Sequence, residues 1–379
     1  MKIRSKFLFP ALALLVLLSG CQPGSSSEAD QDDFLKGQRI SSEGETSSTG
    51  LGESSEPDLS LPPRDGMTRS RLTNEWVDEK IAETRPIAVS IPNEIHAQPH
   101  YNLSNASVIY EAKVEGSMTR MLAIFEDWQK LNKIGNVRSM RTYFAYWALE
   151  WDSIIVHIGG PYFAYDVLNK DTTDNVDGSN DETAFFRTSD REAPHNAYTS
   201  GPGILDAVKK AGYSLEYRGL TEEAHFLFAD QSAPNTLSQY GTNAKDAAYV
   251  DMTAAYPLTR CYFTYNEDDQ LYYRSQYLSG GTDGPHVDGY TGKQLSFSNL
   301  LVQRVKQEDI GNGYLAMQCH DVTRDGWFFT RGKGIHVTWS KEGDYGATKY
   351  YDDNGDQIRL NTGKTMILII RDGDNFSYR

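Results

Sequence analysis

Apolar residues fall into three regimes along this chain. A dense run occupies 7–18, isolated hydrophobes are scattered through 22–69, and short apolar runs broken by turns fill the rest from about Thr73. In the last regime, 85–91, 107–112, 121–125 and 153–158 read as strands. The first is closed by Pro92-Asn93 and the last is stopped by Gly159-Gly160-Pro161. Helical spacing marks 142–149, 163–168 and 203–211, and 74–81 reads as a short helical lead-in. Alternating strands and helices predict an N-terminal α/β layered domain over 73–235. Beyond it, strand candidates are shorter and divided by turn dipeptides such as Asp268-Asp269, Asn312-Gly313, Asp325-Gly326 and Asn354-Gly355. That pattern predicts a β-rich antiparallel domain over 240–373, so the expected class is α+β.

The first apolar run follows Lys2, Arg4 and Lys6 and ends in Leu18-Ser19-Gly20-Cys21. It is too short to span a bilayer comfortably and has the layout of a cleaved export signal, 1–20. Cys21 then becomes the N-terminus, with a thiol available for diacylglycerol. The alternative is an ordinary secretory signal with an incidental Cys21. Residues 21–72, rich in Ser, Glu, Gly, Asp and Pro, bury too little apolar surface to order themselves and read as a disordered tether. The expected location is extracytoplasmic, anchored to the cell membrane by the lipid on Cys21.

Charge narrows the partners. The chain has 37 Lys and Arg against 52 Asp and Glu, and three of the basic residues lie in the signal. So acidic a protein is not built to neutralise phosphodiesters, which argues against nucleic acid. It should also be repelled by anionic headgroups, leaving attachment to the acyl chains. Of three cysteines, Cys261 and Cys319 remain for one disulfide or two buried thiols.

Candidate chemistry is concentrated in the first half. Glu111 and Glu115 lie four residues apart just before Arg120. Two carboxylates near a guanidinium suit a cation, an amino-sugar or acid/base work, or else form a structural bridge in a hairpin. Arg138 and Arg141, three apart, would project to one side of a helical turn. They suit a carboxylate or phosphate ligand, or internal pairing with Glu111, Glu115 or Glu150. His157 closes an apolar strand, where it is either a ligand group at a sheet edge or a satisfied core histidine. Arg191, His195 and Asn196 share a polar, turn-rich loop of the kind that often carries binding. The His286-x-Asp288 pair reads as a structural turn. Residues 171–182 resemble a calcium loop in composition but lack its bidentate Glu. No metal, P-loop, dinucleotide, zinc-peptidase or serine-hydrolase signature appears, so no cofactor is expected and catalytic residues stay unassigned.

Several of these stretches carry a resemblance: Arg85-Pro86-Ile87-Ala88-Val89, Tyr110-Glu111 through Arg120, Ile134-Gly135 through Arg141, Val156-His157-x-Gly159-Gly160, and Arg191-x-Ala193-Pro194-His195-Asn196. With His286-x-Asp288 through Leu295 and Gly363-Lys364-Thr365, the chain resembles the YerB-like lipoproteins of Gram-positive bacteria over about 72–372. Asn136 stands where that family usually has Pro, and Pro161 where Ser is common. The resemblance implies two consecutive domains and surface attachment, and supplies no catalytic residues. Two functional readings are open. One is a binding or scaffold lipoprotein contacting cell-wall polymer or an envelope protein. The other is a hydrolase or transferase acting on envelope glycans, with Glu111 or Glu115 as acid/base.

Overall fold

Continuous apolar strands need cover on both faces, and here each face has its own core. The structure, a computed structural model, describes residues 61–221 and 224–379. Cys21, the signal 1–20 and most of the expected tether 21–72 lie outside the described residues. Ile87–Pro92 (β1), Val108–Lys113 (β2), Thr119–Phe125 (β3), Ile154–His157 (β4) and Asn175–Asp177 (β5) join strands from the second half in one sheet. Those are Lys245–Asp246 (β6), Asn299–Val305 (β7), Asp321–Thr330 (β8), Lys333–Lys341 (β9), Lys349–Tyr351 (β10) and Thr365–Arg371 (β11). The order is β6-β9-β8-β7-β11-β2-β3-β1-β4-β5, with β10 paired to β9. Among the described residues the α-helices are Glu79–Glu83 (α1), Thr142–Leu149 (α2), Tyr165–Leu168 (α3) and Gly201–Ala211 (α4).

Side chains alternate between the two cores with period two, as pleated strands require. Ala88, Tyr110, Leu122 and Ile155 pack with Tyr143, Phe144 and Trp147 of α2. Val89, Ile109, Ala123 and Val156 pack with Ile204, Ala207 and Val208 of α4. The second core continues into Val250, Phe263 and Tyr272 of a six-stranded sheet built around Tyr249–Asp251, Tyr262–Asn266 and Leu271–Tyr277. The fold is therefore α+β.

Two details depart from the sequence reading. Residues 76–78 are a strand, paired antiparallel with Met67–Arg69 inside the stretch expected to be tether; helix starts only at Glu79. Arg69 fastens this hairpin by lying 4.0 Å over the Trp76 ring and donating to the Asn74 carbonyl at 2.9 Å. The second half is not wholly antiparallel, because β11 runs parallel to both β7 and β2. Cys261 and Cys319 are separate buried thiols. No helix among the described residues is long and apolar enough to cross a membrane.

Strand direction gives the sheet two chemically distinct edges. β1, β2, β4, β5, β7 and β11 all point one way, with β3 antiparallel between β2 and β1. Their carboxyl ends share one edge, and the start of β3, with Arg120, lies there too. Ligands of open α/β sheets bind outside that edge.

Candidate functional site

The segment between α2 and the preceding strands is laid across this carboxyl edge by backbone hydrogen bonds. Arg138 N–H donates to the Ser90 carbonyl at 2.9 Å, Ile158 N–H donates to the Arg138 carbonyl at 3.2 Å, and Met140 N–H donates to the Gly159 carbonyl at 2.9 Å. Thus Arg138 and Arg141 do not sit on one helical turn as expected. They belong to an extended stretch, with Arg141 immediately preceding α2. Asp177 steadies the opposing turn by accepting from the N–H groups of Gly159 at 2.8 Å and Ser179 at 2.9 Å.

Arg120, Arg138 and Arg141 come together here. Arg120 donates to the Ser139 carbonyl, and Arg141 donates to the Met140 carbonyl at 2.9 Å. The turn between β2 and β3 folds back through left-handed Gly116 and Ser117, with φ of 65° and 64°, and carries Glu115 to Arg141. The pair is bidentate, Nε to Oε1 at 2.7 Å and Nη2 to Oε2 at 2.5 Å. Burial opposes ionisation of Glu115, but the Arg141 hydrogen bonds and charge overcome it and hold the carboxyl below its usual range.

That carboxylate neutralises one guanidinium of three. Arg120 is only 6% exposed, forms no ion pair within 4 Å among the described residues, and has a buried Nε with no hydrogen-bond partner. Burial first, then the charges of Arg141 and Arg138, bring its pKa down to about 9. Arg138 also has a buried, unpartnered Nε; its pKa is lowered by burial, with Glu94 pulling the other way. A chain of formal net charge −15 thus keeps a local excess of positive charge at its sheet edge. An anion would supply the missing acceptors.

Arg138 also faces a second group of candidates. The His195 ring Nδ1 lies 3.6 Å from the Glu94 carboxylate, and its pKa is lowered by burial and by Arg138, His96 and Arg191 against the pull of Glu94. Arg191 donates to the Ala97 carbonyl at 2.7 Å. Asn196 is a loop clip, accepting from Arg187 and donating to the Thr188 carbonyl, both at 2.9 Å. Asn136 donates to the His195 carbonyl at 2.5 Å and leaves its buried Oδ1 without a donor. Glu94, Ser139 and Asn136 carry no signal as isolated residues; only the strand ends that bring them here give them a role.

Two candidates lie elsewhere. Glu111 is fully buried; Oε1 accepts from Asn93 and Thr119, each at 2.7 Å, and Oε2 from Arg274 at 2.8 Å. His157 is fully buried as well, its ring nitrogens 2.9 Å from the Gly159 carbonyl and 3.2 Å from Asn175 Oδ1. Both therefore leave the candidate surface: each is enclosed and partnered in the core. Asp288 is another buried anchor, accepting from the N–H groups of Asn102, Ser104, Tyr290 and Thr291. Among the described residues no cluster could hold a metal ion.

Next to Arg141 lies an apolar groove of about 290 Å³, whose lining includes Thr142, Tyr146, Phe163, Ile310 and Leu315. The Arg141 guanidinium is 5.9 Å from the Tyr314 ring, which meets Phe163 edge-on at 5.3 Å. Tyr162, 85% exposed, packs edge-on against Phe163.

The comparisons with known proteins agree with this architecture. Residues 72–214 match the N-terminal domain, and 250–367 the C-terminal domain, of a protein of unknown function, DUF3048. YerB of Bacillus subtilis (strain 168), which is named as a lipoprotein, is 29% identical over 309 residues, covering 81% of this chain and 87% of that protein. The crystal structure of Bacillus subtilis YerB superposes with a TM-score of 0.68 at 27% identity, over 82% of this chain and 99% of that one. Both DUF3048 domains and homology along most of its length place this chain in the YerB-like DUF3048 family.

Proposed function

We propose that the protein is a lipid-tethered binding protein at the outer face of the cytoplasmic membrane, and that its carboxyl-edge arginines hold an anionic group of a cell-wall polymer. The observation that carries this reading is Arg120: a buried guanidinium with an unpartnered Nε, beside two further arginines and one carboxylate. Burying such a charge is costly unless an acceptor completes it. The aromatic groove beside Arg141 favours a ligand whose body offers flat apolar faces, as sugar rings do. The tether and Cys21 would put such a site within reach of the wall, and the relative's name as a lipoprotein supports a lipid anchor. Acid/base catalysis receives less support, because Glu111 is enclosed by donors and Glu115 is held ionised by Arg141.

The test is co-sedimentation of the full chain with isolated cell walls, intact or stripped of their anionic polymer. Intact walls should retain the wild type; stripping the walls, or Arg138→Ala, should release most of it. Equal retention in all three arms would refute the assignment.

A further inference from the structure

At the other end of β3 the chemistry is reversed. β3 begins with Thr119-Arg120 and ends at Phe125, so Glu126 emerges about 20 Å away at the opposite edge, at the usual rise per strand residue. There a cleft of about 740 Å³ opens between the 66–84 hairpin and helix, the 126–130 segment and Leu215-Glu216. Glu79, Glu83, Asp127 and Glu216 give it an acidic rim against Lys80 and Lys130, and Ile81 and Leu215 add apolar wall.

Carboxylates on a rim are ordinary solvated groups, but Glu126 is not one of them. It lines the cleft yet is only 5% exposed. Its Oε2 accepts from the Ser70 hydroxyl at 2.7 Å, while Oε1 is buried with no donor. The titratable groups acting on it are Glu75, Asp127, Arg71 and Tyr217, and Arg71 is drawn over the Tyr217 ring at 4.5 Å. Burial, reinforced by Glu75 and Asp127 against Ser70 and Arg71, pushes the Glu126 carboxyl up to about 7. An N–H donor carrying positive charge would satisfy Oε1 and offset the acidic rim together. Among the described residues no set of side chains is arranged to hold a metal ion, so an organic cation fits better.

We propose that this cleft binds a primary ammonium on an aliphatic chain, with Glu126 receiving the ammonium and Ile81 and Leu215 receiving the methylenes. The site is separate from the arginine edge, and its test is independent of that one. The purified full chain is titrated calorimetrically with 1,5-diaminopentane, with Nα-acetyl-lysine methylamide, and with 1,5-pentanediol as the neutral match. Saturable binding of either amine, with none of the diol, is expected; binding of only one identifies a free diamine or a lysyl side chain as the source. Glu126→Gln keeps the shape and the Ser70 contact, and should weaken binding at least about tenfold through loss of a charge-assisted hydrogen bond. The rim variant Asp127→Asn should weaken it by a smaller factor. Wild-type affinity should rise between about pH 6 and pH 8 as Glu126 ionises. No saturable amine binding, equal diol binding, a flat pH profile, or Glu126→Gln binding as well as wild type would each overturn the proposal.

Discussion

Glu111 shows how a single residue can promise chemistry and deliver architecture. Its partner Arg274 also donates to Nδ1 of His286, whose other nitrogen lies 2.8 Å from His100 Nδ1; His100 Nε2 lies 2.7 Å from the Pro92 carbonyl. A carbonyl only accepts, so His100 must donate from Nε2 and accept at Nδ1. His286 then donates from Nε2 and accepts from Arg274. The chain of hydrogen bonds has one direction and needs both imidazoles neutral. Burial, with Arg274 adding to it against the Pro92 hydrogen bond, brings His100 down to about 4, and burial with Arg274 and His100 pushes His286 well below its usual value. Unfolded histidines take up protons near pH ~6.5, so below that pH the unfolded chain binds more protons than the native one. Stability is therefore complete above about pH 6.5 and falls as pH drops toward about 4, by on the order of 3 kcal/mol from His100 alone. Denaturant midpoints across this window should fall more steeply for wild type than for His100→Gln; parallel slopes would contradict the neutral relay. None of this is legible in the sequence, because Arg274 and His286 come from the other half of the chain and burial leaves no mark on a lone Glu or His.

Local elements are far easier to read. Helix 142–149 coincides with α2, and the strands at 107–112 and 153–158 shift by no more than one residue at either end. Strong apolar patterning fixes them without tertiary help. The 74–81 segment departs from its helical pattern because Trp76-Val77-Asp78 pairs with Met67–Arg69, a partner its own pattern cannot announce. Helix α4 extends two residues before the expected start, and the reason is chemical. Ser200 caps it by accepting from Gly203 N–H at 3.2 Å, Pro202 sits in its first turn, and left-handed Gly212 ends it with φ of 74°. Gly201 lies so near the 128–129 backbone that a Cβ would collide with the carbonyl oxygens of Trp128 and Gln129. Ser200→Ala should cost about 1 kcal/mol through the cap. Gly201→Ala should cost more, at least ~2 kcal/mol, because backbone has to move. Thermal or denaturant unfolding of the two variants checks the order; a harmless Gly201→Ala would mean that α4 does not dock here.

Over the whole molecule, β11 is the decisive strand. It lies between β7 and β2, parallel to both, so Ile367 pairs with Tyr110 on one side and Leu301 on the other. The change of patterning near residue 240 is visible in the sequence, but this pairing across it is not, since strand order is set by contacts between distant segments. The shared sheet gives the molecule a chemical axis, with arginines at the carboxyl edge and an acidic cleft at the other. Arg120, Arg138 and Arg141 are each visible as candidates, but their convergence, and the release of Glu111 and His157 from the group, depend on the fold. If the edge is an anion site, Glu115 competes with the ligand for Arg141, so the two kinds of substitution must act in opposite directions. The direct measurement is calorimetric titration of the full chain with inorganic phosphate. Wild type should bind saturably, Arg120→Gln should weaken binding by about tenfold or more, and Glu115→Gln should strengthen it, in keeping with charge-assisted hydrogen bonds. Absence of saturable binding in the wild type, or Arg120→Gln and Glu115→Gln changing affinity in the same direction, would contradict an anion site at this edge.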